Sequence, residues 1–126
     1  MVFDRLFTQN RILEAAMQAT QYKNQVILNN MANIDTPNYK RKTVNFEGAL
    51  ARAIDKTKET GVDHMGSVMP SLQVEVKPNS TTIDGNSVDI ETEMIEFYKN
   101  STKYDFIVNS VLSNSNRTST VYSTFK

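Results

Sequence analysis

In Met31-Ala32-Asn33-Ile34-Asp35-Thr36-Pro37-Asn38-Tyr39-Lys40 a long helical pattern is brought to a stop. From Leu6 onward the chain can run as a helix with neither Gly nor Pro until Pro37. Pro37 has no N–H and pushes Thr36 out of the α region, so the helix must end near Ile34. Asn33, Asp35 and Asn38 have short polar side chains that bond nearby backbone, and Asn also tolerates the left-handed conformation that closes helices and turns. Asn33, Asp35, Thr36, Pro37, Asn38 and Tyr39 are therefore expected to form an exit that aims the chain without doing chemistry.

Upstream of this exit, Phe3, Asn10, Met17, Asn24 and Met31 recur every seven residues, and so do Leu6, Leu13, Thr20, Ile27 and Ile34. Together they form a heptad seam diluted by Asn10, Thr20 and Asn24. Polar residues in such a seam lower stability but fix register and partner. Pattern alone describes an ordinary amphipathic helix equally well.

Downstream, Lys40-Arg41-Lys42 reads as a solvated basic turn. Asn45 can cap a short helix from Phe46 to about Lys58, with Phe46, Leu50 and Ile54 on one face and Gly48 weakening it. Thr57 to Ser71 contains Gly61, Gly66 and Pro70 with little periodicity and reads as a mobile loop. His64, a lone histidine beside Asp63, reads as a solvent-facing residue, neither ligand nor base. Leu72-Gln73-Val74-Glu75-Val76 alternates with period two and predicts a strand. Asp84-Gly85 suits a tight turn between two short strands, giving a second turn motif of Asp84, Gly85 and Asn86, closed by Asp89.

Asp89 is a good N-cap, and Glu91 and Glu93 place negative charge where the helix dipole favours it. Asp89, Glu93 and Glu96 share a face, as metal carboxylates would. Dipole, solvent and a Glu96–Lys99 pair account for them without a metal. From Ile90 the seam continues through Met94, Phe97, Ser101, Tyr104, Val108, Val111, Ser115, Thr118, Tyr122 and Phe125. Ser113 to Thr124 is mostly Ser, Thr and Asn, poor helix formers that would need a partner surface to hold helix.

The expected architecture is mainly α. Long N- and C-terminal helices pack as a coiled-coil-like pair, with a small β-hairpin and loop insert between them. The chain divides at 1–36, 37–88 and 89–126, and the first and last parts form one structural unit. The residues expected to carry packing and assembly are Leu6, Leu13, Met17, Ile27, Met31, Ile34, Ile90, Met94, Phe97, Tyr104, Val108, Val111, Tyr122 and Phe125.

Composition limits function. The chain has 126 residues with 14 basic and 14 acidic side chains, 39% hydrophobic residues and no cysteine, and its mean hydropathy is −0.45. Charge is spread evenly: three basic and three acidic residues through Thr36, seven and six from Pro37 to Asn86, four and five beyond. No segment carries the basic excess of a nucleic-acid face. Without Cys there is neither a disulfide framework nor a thiolate nucleophile, and no nucleophile, base and orienting partner are grouped, so no enzyme, metal or cofactor is expected. No apolar run is long enough for membrane insertion, and the N-terminus lacks the basic and apolar regions of a cleaved signal.

The heptad helix ending Ala32-Asn33-Ile34-Asp35-Thr36-Pro37-Asn38-Tyr39-Lys40, and Asp84-Gly85-Asn86-Ser87-Val88-Asp89 opening the second one, resemble the bacterial flagellar basal-body rod family, and within it the proximal rod members. Asn100-Ser101-Thr102-Lys103-Tyr104 adds to the likeness, which leaves roughly 45–80 unmatched. Two departures stand out: Asn38 where the family usually has Gly, and Asn114, Asn116, Arg117 and Thr118 in place of a more aliphatic helix. The resemblance implies a structural subunit made in the cytoplasm and exported uncleaved by the flagellar type III apparatus. It would assemble in the periplasm into the torque-transmitting rod of the flagellum basal body. The implied partners are other rod proteins, further copies of itself and the adaptor between rod and MS ring. A cytoplasmic coiled-coil adaptor or secretion chaperone would share the amphipathic ends, but has no use for the Asp-Thr-Pro-Asn-Tyr exit.

Overall fold

Pro37 does what its chemistry requires: in the computed structural model, which describes residues 2–77 and 88–125, helix α1 spans Val2–Ala32 and ends in tight turns. The N–H groups of Asn33, Ile34, Thr36 and Tyr39 each donate to the carbonyl three residues back. Asn33 Nδ2 donates to the carbonyl of Asn29 (2.8 Å), which the helix would otherwise leave unpaired. Asn38 sits at φ 58°, the left-handed region that Asn tolerates best after Gly.

Strand β1 (Lys42–Val44) follows, then α2 (Phe46–Thr60), a single 3₁₀ turn (Met65–Ser67), α3 (Val68–Ser71), β2 (Val74–Val76) and α4 (Ile90–Thr124). At about 1.5 Å per residue, α1 and α4 are roughly 46 and 52 Å long. They lie side by side and antiparallel: Asn30 meets Glu93, Asn24 meets Asn100, and Gln21 meets Tyr104. The long paired helices and the small sheet between them are the expected architecture.

α1 is buried on two sides. Its α4-facing side carries Thr20, Ile27 and Asn30, all buried. Its other side carries Ala15, which packs with Ala49, Ala53, Met65 and Val68, flanked by Ile12, Leu50, Ile54 and Leu72. Alanines at the contact let the helix backbones approach closely. Asn45 caps α2 as expected, accepting from the N–H of Gly48 at 3.0 Å. Phe46 is buried beneath Lys23 and Lys103, whose ammonium groups stand 5.8 and 5.7 Å from the ring centre.

Four expectations need correction. Thr57–Ser71 is not a loop: α2 continues to Thr60, Gly61 closes it at φ 69°, and Asp63 Oδ1 accepts from the Met65 N–H (2.8 Å) to start the next turn. Met65 and Val68 then enter the core. Two anchors in fifteen residues are too sparse to show as periodicity, yet enough to dock the segment. His64 is half-buried, with Nε2 3.0 Å from Thr60 Oγ1.

Second, the strand at Val74–Val76 pairs antiparallel with Lys42–Val44, across the whole of α2 and α3. The basic triplet therefore reaches into a strand. Third, Glu93 is fully buried instead of lining a solvated first turn.

Fourth, the inner rows of α4 are Glu93, Asn100, Ile107 and Asn114 alongside Phe97, Tyr104 and Val111. Among these, Glu93, Asn100 and Ile107 are buried and the others half-buried. The row Phe97, Tyr104, Val111 is as expected, and Val108 is half-buried beside it. Ile90 and Met94 instead face outward. Mostly polar residues form the companion row, so a search for apolar spacing settles one position away. The turn expected at Asp84, Gly85 and Asn86 lies outside the described residues, as does the side chain of Leu6.

α4 remains helical through Thr124 despite its composition. Its hydroxyls bond back to carbonyls four residues earlier, Thr118 to Asn114, Thr120 to Asn116 and Thr124 to Thr120, which satisfies them without tertiary partners.

Candidate functional site

The exit from α1 is held by buried and half-buried polar side chains that join α1, β1 and α4. Asn30 on the last turn of α1 is 0% exposed. Its Nδ2 donates to the Lys42 carbonyl (2.7 Å) and its Oδ1 accepts from the Lys42 N–H (3.0 Å). In an antiparallel pair, successive residues turn their backbone groups to alternate sides. The Lys77 N–H donates to the Arg41 carbonyl (2.8 Å), so Lys42 presents its own groups away from β2, where Asn30 receives both. The carboxamide thus acts as a one-residue third strand on the open edge of β1.

Asn30 Nδ2 also reaches Glu93 Oε2 (3.2 Å), and the Arg41 guanidinium donates to Glu93 Oε1. A buried carboxylate is stable only when paired and hydrogen-bonded, and Glu93 is both. Tyr39 closes the group, its hydroxyl donating to Asn29 Oδ1 (2.8 Å) and Asn30 Oδ1 (3.4 Å), while Lys42 Nζ stands 5.9 Å from its ring centre. Burial, with the Glu93 charge adding to it, holds the Tyr39 phenol above its ordinary pKa, so it remains a neutral donor.

Of the motif residues expected from sequence, Tyr39 belongs to this clasp directly. Asn33 shapes the turn, accepting from Thr36 Oγ1 (3.2 Å), and Asp35, Thr36, Pro37 and Asn38 are exposed around it. Asp89 caps α4, accepting from the Glu91 N–H and Thr92 Oγ1. Asn30, Arg41 and Glu93 were not expected. Asn30 and Glu93 show in the sequence only as polarity at helix positions next to a seam, which apolar spacing passes over, and Arg41 only as part of a basic triplet after the exit.

A second polar layer sits deeper in the pair. Asn100, 1% exposed, donates through Nδ2 to the Thr20 carbonyl and to Asn24 Oδ1, both at 2.8 Å. Beyond it the helices open toward the α1 N-terminus and the α4 C-terminus. A groove there of about 770 Å³ runs between Asn10, Glu14 and Met17 on one side and Val111, Ser115, Thr118, Ser119 and Tyr122 on the other. The expected packing residues fall in two sets. Ile27 is buried and Leu13, Met17, Met31, Ile34, Phe97, Tyr104, Val108 and Val111 are half-buried. Ile90, Met94, Tyr122 and Phe125 are exposed, with Ile95, Tyr98, Phe106 and Leu112 also outward on α4.

Among the described residues, no three metal-ligating side chains converge, and no helix is long and apolar enough to cross a membrane. The class defined by these features is structural: a paired-helix scaffold with a clasped exit and several apolar side chains on the outer face of α4. Residues 11–40, the seam and the exit, match the model of the family described as flagella basal body rod protein. The chain belongs to that family. It is similar to the flagellar basal body rod protein FlgB of Bacillus subtilis (strain 168), 37% identical over 101 residues that cover 76% of this chain and 78% of the relative. FlgB of Cereibacter sphaeroides is 31% identical, covering 71% and 73%. FlgB of Escherichia coli (strain K12) is 23% identical, covering 87% and 89%.

Proposed function

We propose that this chain is a structural subunit of the proximal rod of the flagellar basal body, polymerising through its two long helices to transmit motor torque. The observation that supports this most directly is the outer face of α4. Ile95, Tyr98, Phe106 and Leu112 are exposed along a helix whose inner face is already occupied, and a partner helix laid on that side would bury them. Contacts that join one face to a different face of the next copy, and do not close, generate a helical array. Long helices laid side by side resist twisting better than loops. Export by the flagellar type III apparatus without cleavage, assembly in the periplasm, and contact with other rod proteins and with the adaptor to the MS ring complete the reading.

The test uses the bacterium that carries this chain. Deleting the gene should abolish motility and leave basal bodies without a complete rod. Expression of the parent chain should restore both and place the chain in purified basal bodies. Phe106→Ser with Leu112→Ser should be exported and folded but fail to restore rods. Complete rods in the deletion strain, with the chain retained in the cytoplasm, would favour an adaptor or chaperone and overturn the proposal.

A further inference from the structure

The inner face of α4 repeats every seven residues, with Phe97, Tyr104 and Val111 in one row and Glu93, Asn100 and Ile107 in the other. Apolar side chains at that spacing fit a facing helix equally well after a seven-residue slip, because the slip carries each knob into the next equivalent hole. Burial of Phe97, Tyr104 and Val111 therefore does not select one stagger of α4 on α1.

The polar row breaks the degeneracy. In the observed stagger Glu93 meets Asn30 and Arg41, and Asn100 finds the Thr20 carbonyl and Asn24 Oδ1. Slipped toward the α1 N-terminus, Asn100 would exchange the Thr20 carbonyl for that of Leu13, and Asn24 Oδ1 for the Met17 thioether, a weak acceptor. Slipped the other way, Glu93 would pass the end of α1 and leave Asn30 behind. Either displacement takes a good partner from a buried polar group, which costs more than an apolar mismatch. Asn100 also carries a burden in the observed state: its Oδ1 is buried without a partner in the protein. An apolar side chain would avoid that penalty, so the role of Asn100 is selectivity and not stability.

We infer that Asn100, together with the Asn30–Glu93–Arg41 clasp, is the specificity determinant that fixes the stagger of α4 on α1 and excludes the seven-residue-slipped pairing. This holds for the single chain whatever it assembles into.

The chain contains no cysteine, so an introduced pair reports register alone. Gln21→Cys with Tyr104→Cys joins residues whose side chains touch in the observed stagger. Glu14→Cys with Tyr104→Cys would join only after the slip. In the otherwise unaltered full-length chain the first pair should be joined by a short bismaleimide cross-linker, whose span replaces that of the lost Gln and Tyr side chains, and the second should not. With Asn100→Leu, and more so with Asn100→Leu and Glu93→Leu together, the second pair should also be joined, while the thermal midpoint of Asn100→Leu stays at or above the parent's. Exclusive cross-linking of the first pair in every background would overturn the inference, since apolar packing would then suffice. A lowered midpoint for Asn100→Leu and for the smaller Asn100→Val, or failure of both to fold, would also overturn it by making Asn100 a stabilising residue.

Discussion

Replacing Asn30 by Ala removes the side chain that completes the β1 edge. It deletes two short hydrogen bonds to Lys42, at 2.7 and 3.0 Å, one to Glu93 at 3.2 Å and a long one from the Tyr39 hydroxyl at 3.4 Å. The Lys42 N–H and carbonyl lose their partners at a site closed by α1, and each unsatisfied group costs about 1–3 kcal/mol. Glu93 keeps Arg41, so its loss is the smaller part. The expected destabilisation is about 3–5 kcal/mol, a large share of the roughly 5–15 kcal/mol that holds a domain folded. With a urea slope of about 2 kcal/mol per molar, the unfolding midpoint should fall by about 2 M. Asn29→Ala is the control: at an exposed residue it removes one of the two acceptors of the Tyr39 hydroxyl and a long contact from Asn33 Nδ2, and should cost no more than about 1 kcal/mol. A midpoint for Asn30→Ala within error of the Asn29→Ala value would mean that water replaces the carboxamide without penalty, and the clasp would lose its claim to hold the exit in place.

Asp35→Ala or Pro37→Ala should impair rod assembly while leaving export intact, scored by secreted protein and by rods in purified basal bodies. Accumulation in the cytoplasm would assign the motif to export. Gly48→Ala, usually stabilising in a helix by about 1 kcal/mol, should gain nothing here: a Cβ at Gly48 would stand 2.9 Å from Asn45 Nδ2 and displace the cap. This is measured by urea unfolding against the parent. Asp63 is held below the usual carboxylate range by the Met65 N–H and, beyond its modest desolvation, by Arg11. A depressed acid contributes stability that is present above its unfolded pKa and lost as pH falls through its folded one. Asp63→Asn should therefore flatten the acid side of the stability profile. The amides of Ser113 to Phe125 should exchange quickly in the dilute monomer, because from Ser115 on every residue described is exposed. Slow exchange there would show a helix that needs no partner.

Much of this was legible in the sequence because its signals are local. Heptad spacing from Leu13 to Ile34 marked the inner face of α1, Asn45 and Asp89 marked helix starts, and Pro37 with Asn38 marked the exit. β1 was not legible, since three residues gain strand geometry only from a partner some thirty residues away and from the Asn30 carboxamide. Glu93 and Asn100 were hidden for a related reason. A buried polar residue is justified by what faces it, and Arg41, Thr20 and Asn24 come from distant parts of the chain. Met65 and Val68 dock into the alanine cluster as two isolated apolar positions, which leave no period.

Because α1 lies between α4 on one side and α2 with α3 on the other, the two packed regions share one wall and are mechanically in series. A side chain enlarged at Ala15 or Ala19 cannot be absorbed by moving α1 away, since retreat from one neighbour is advance into the other. Substitutions on the two sides of α1 should thus be non-additive even where the altered residues never touch, whereas those on the outer face of α4 should combine independently. The chain holds its own shape through α1 and leaves α4 free to be pressed on from outside.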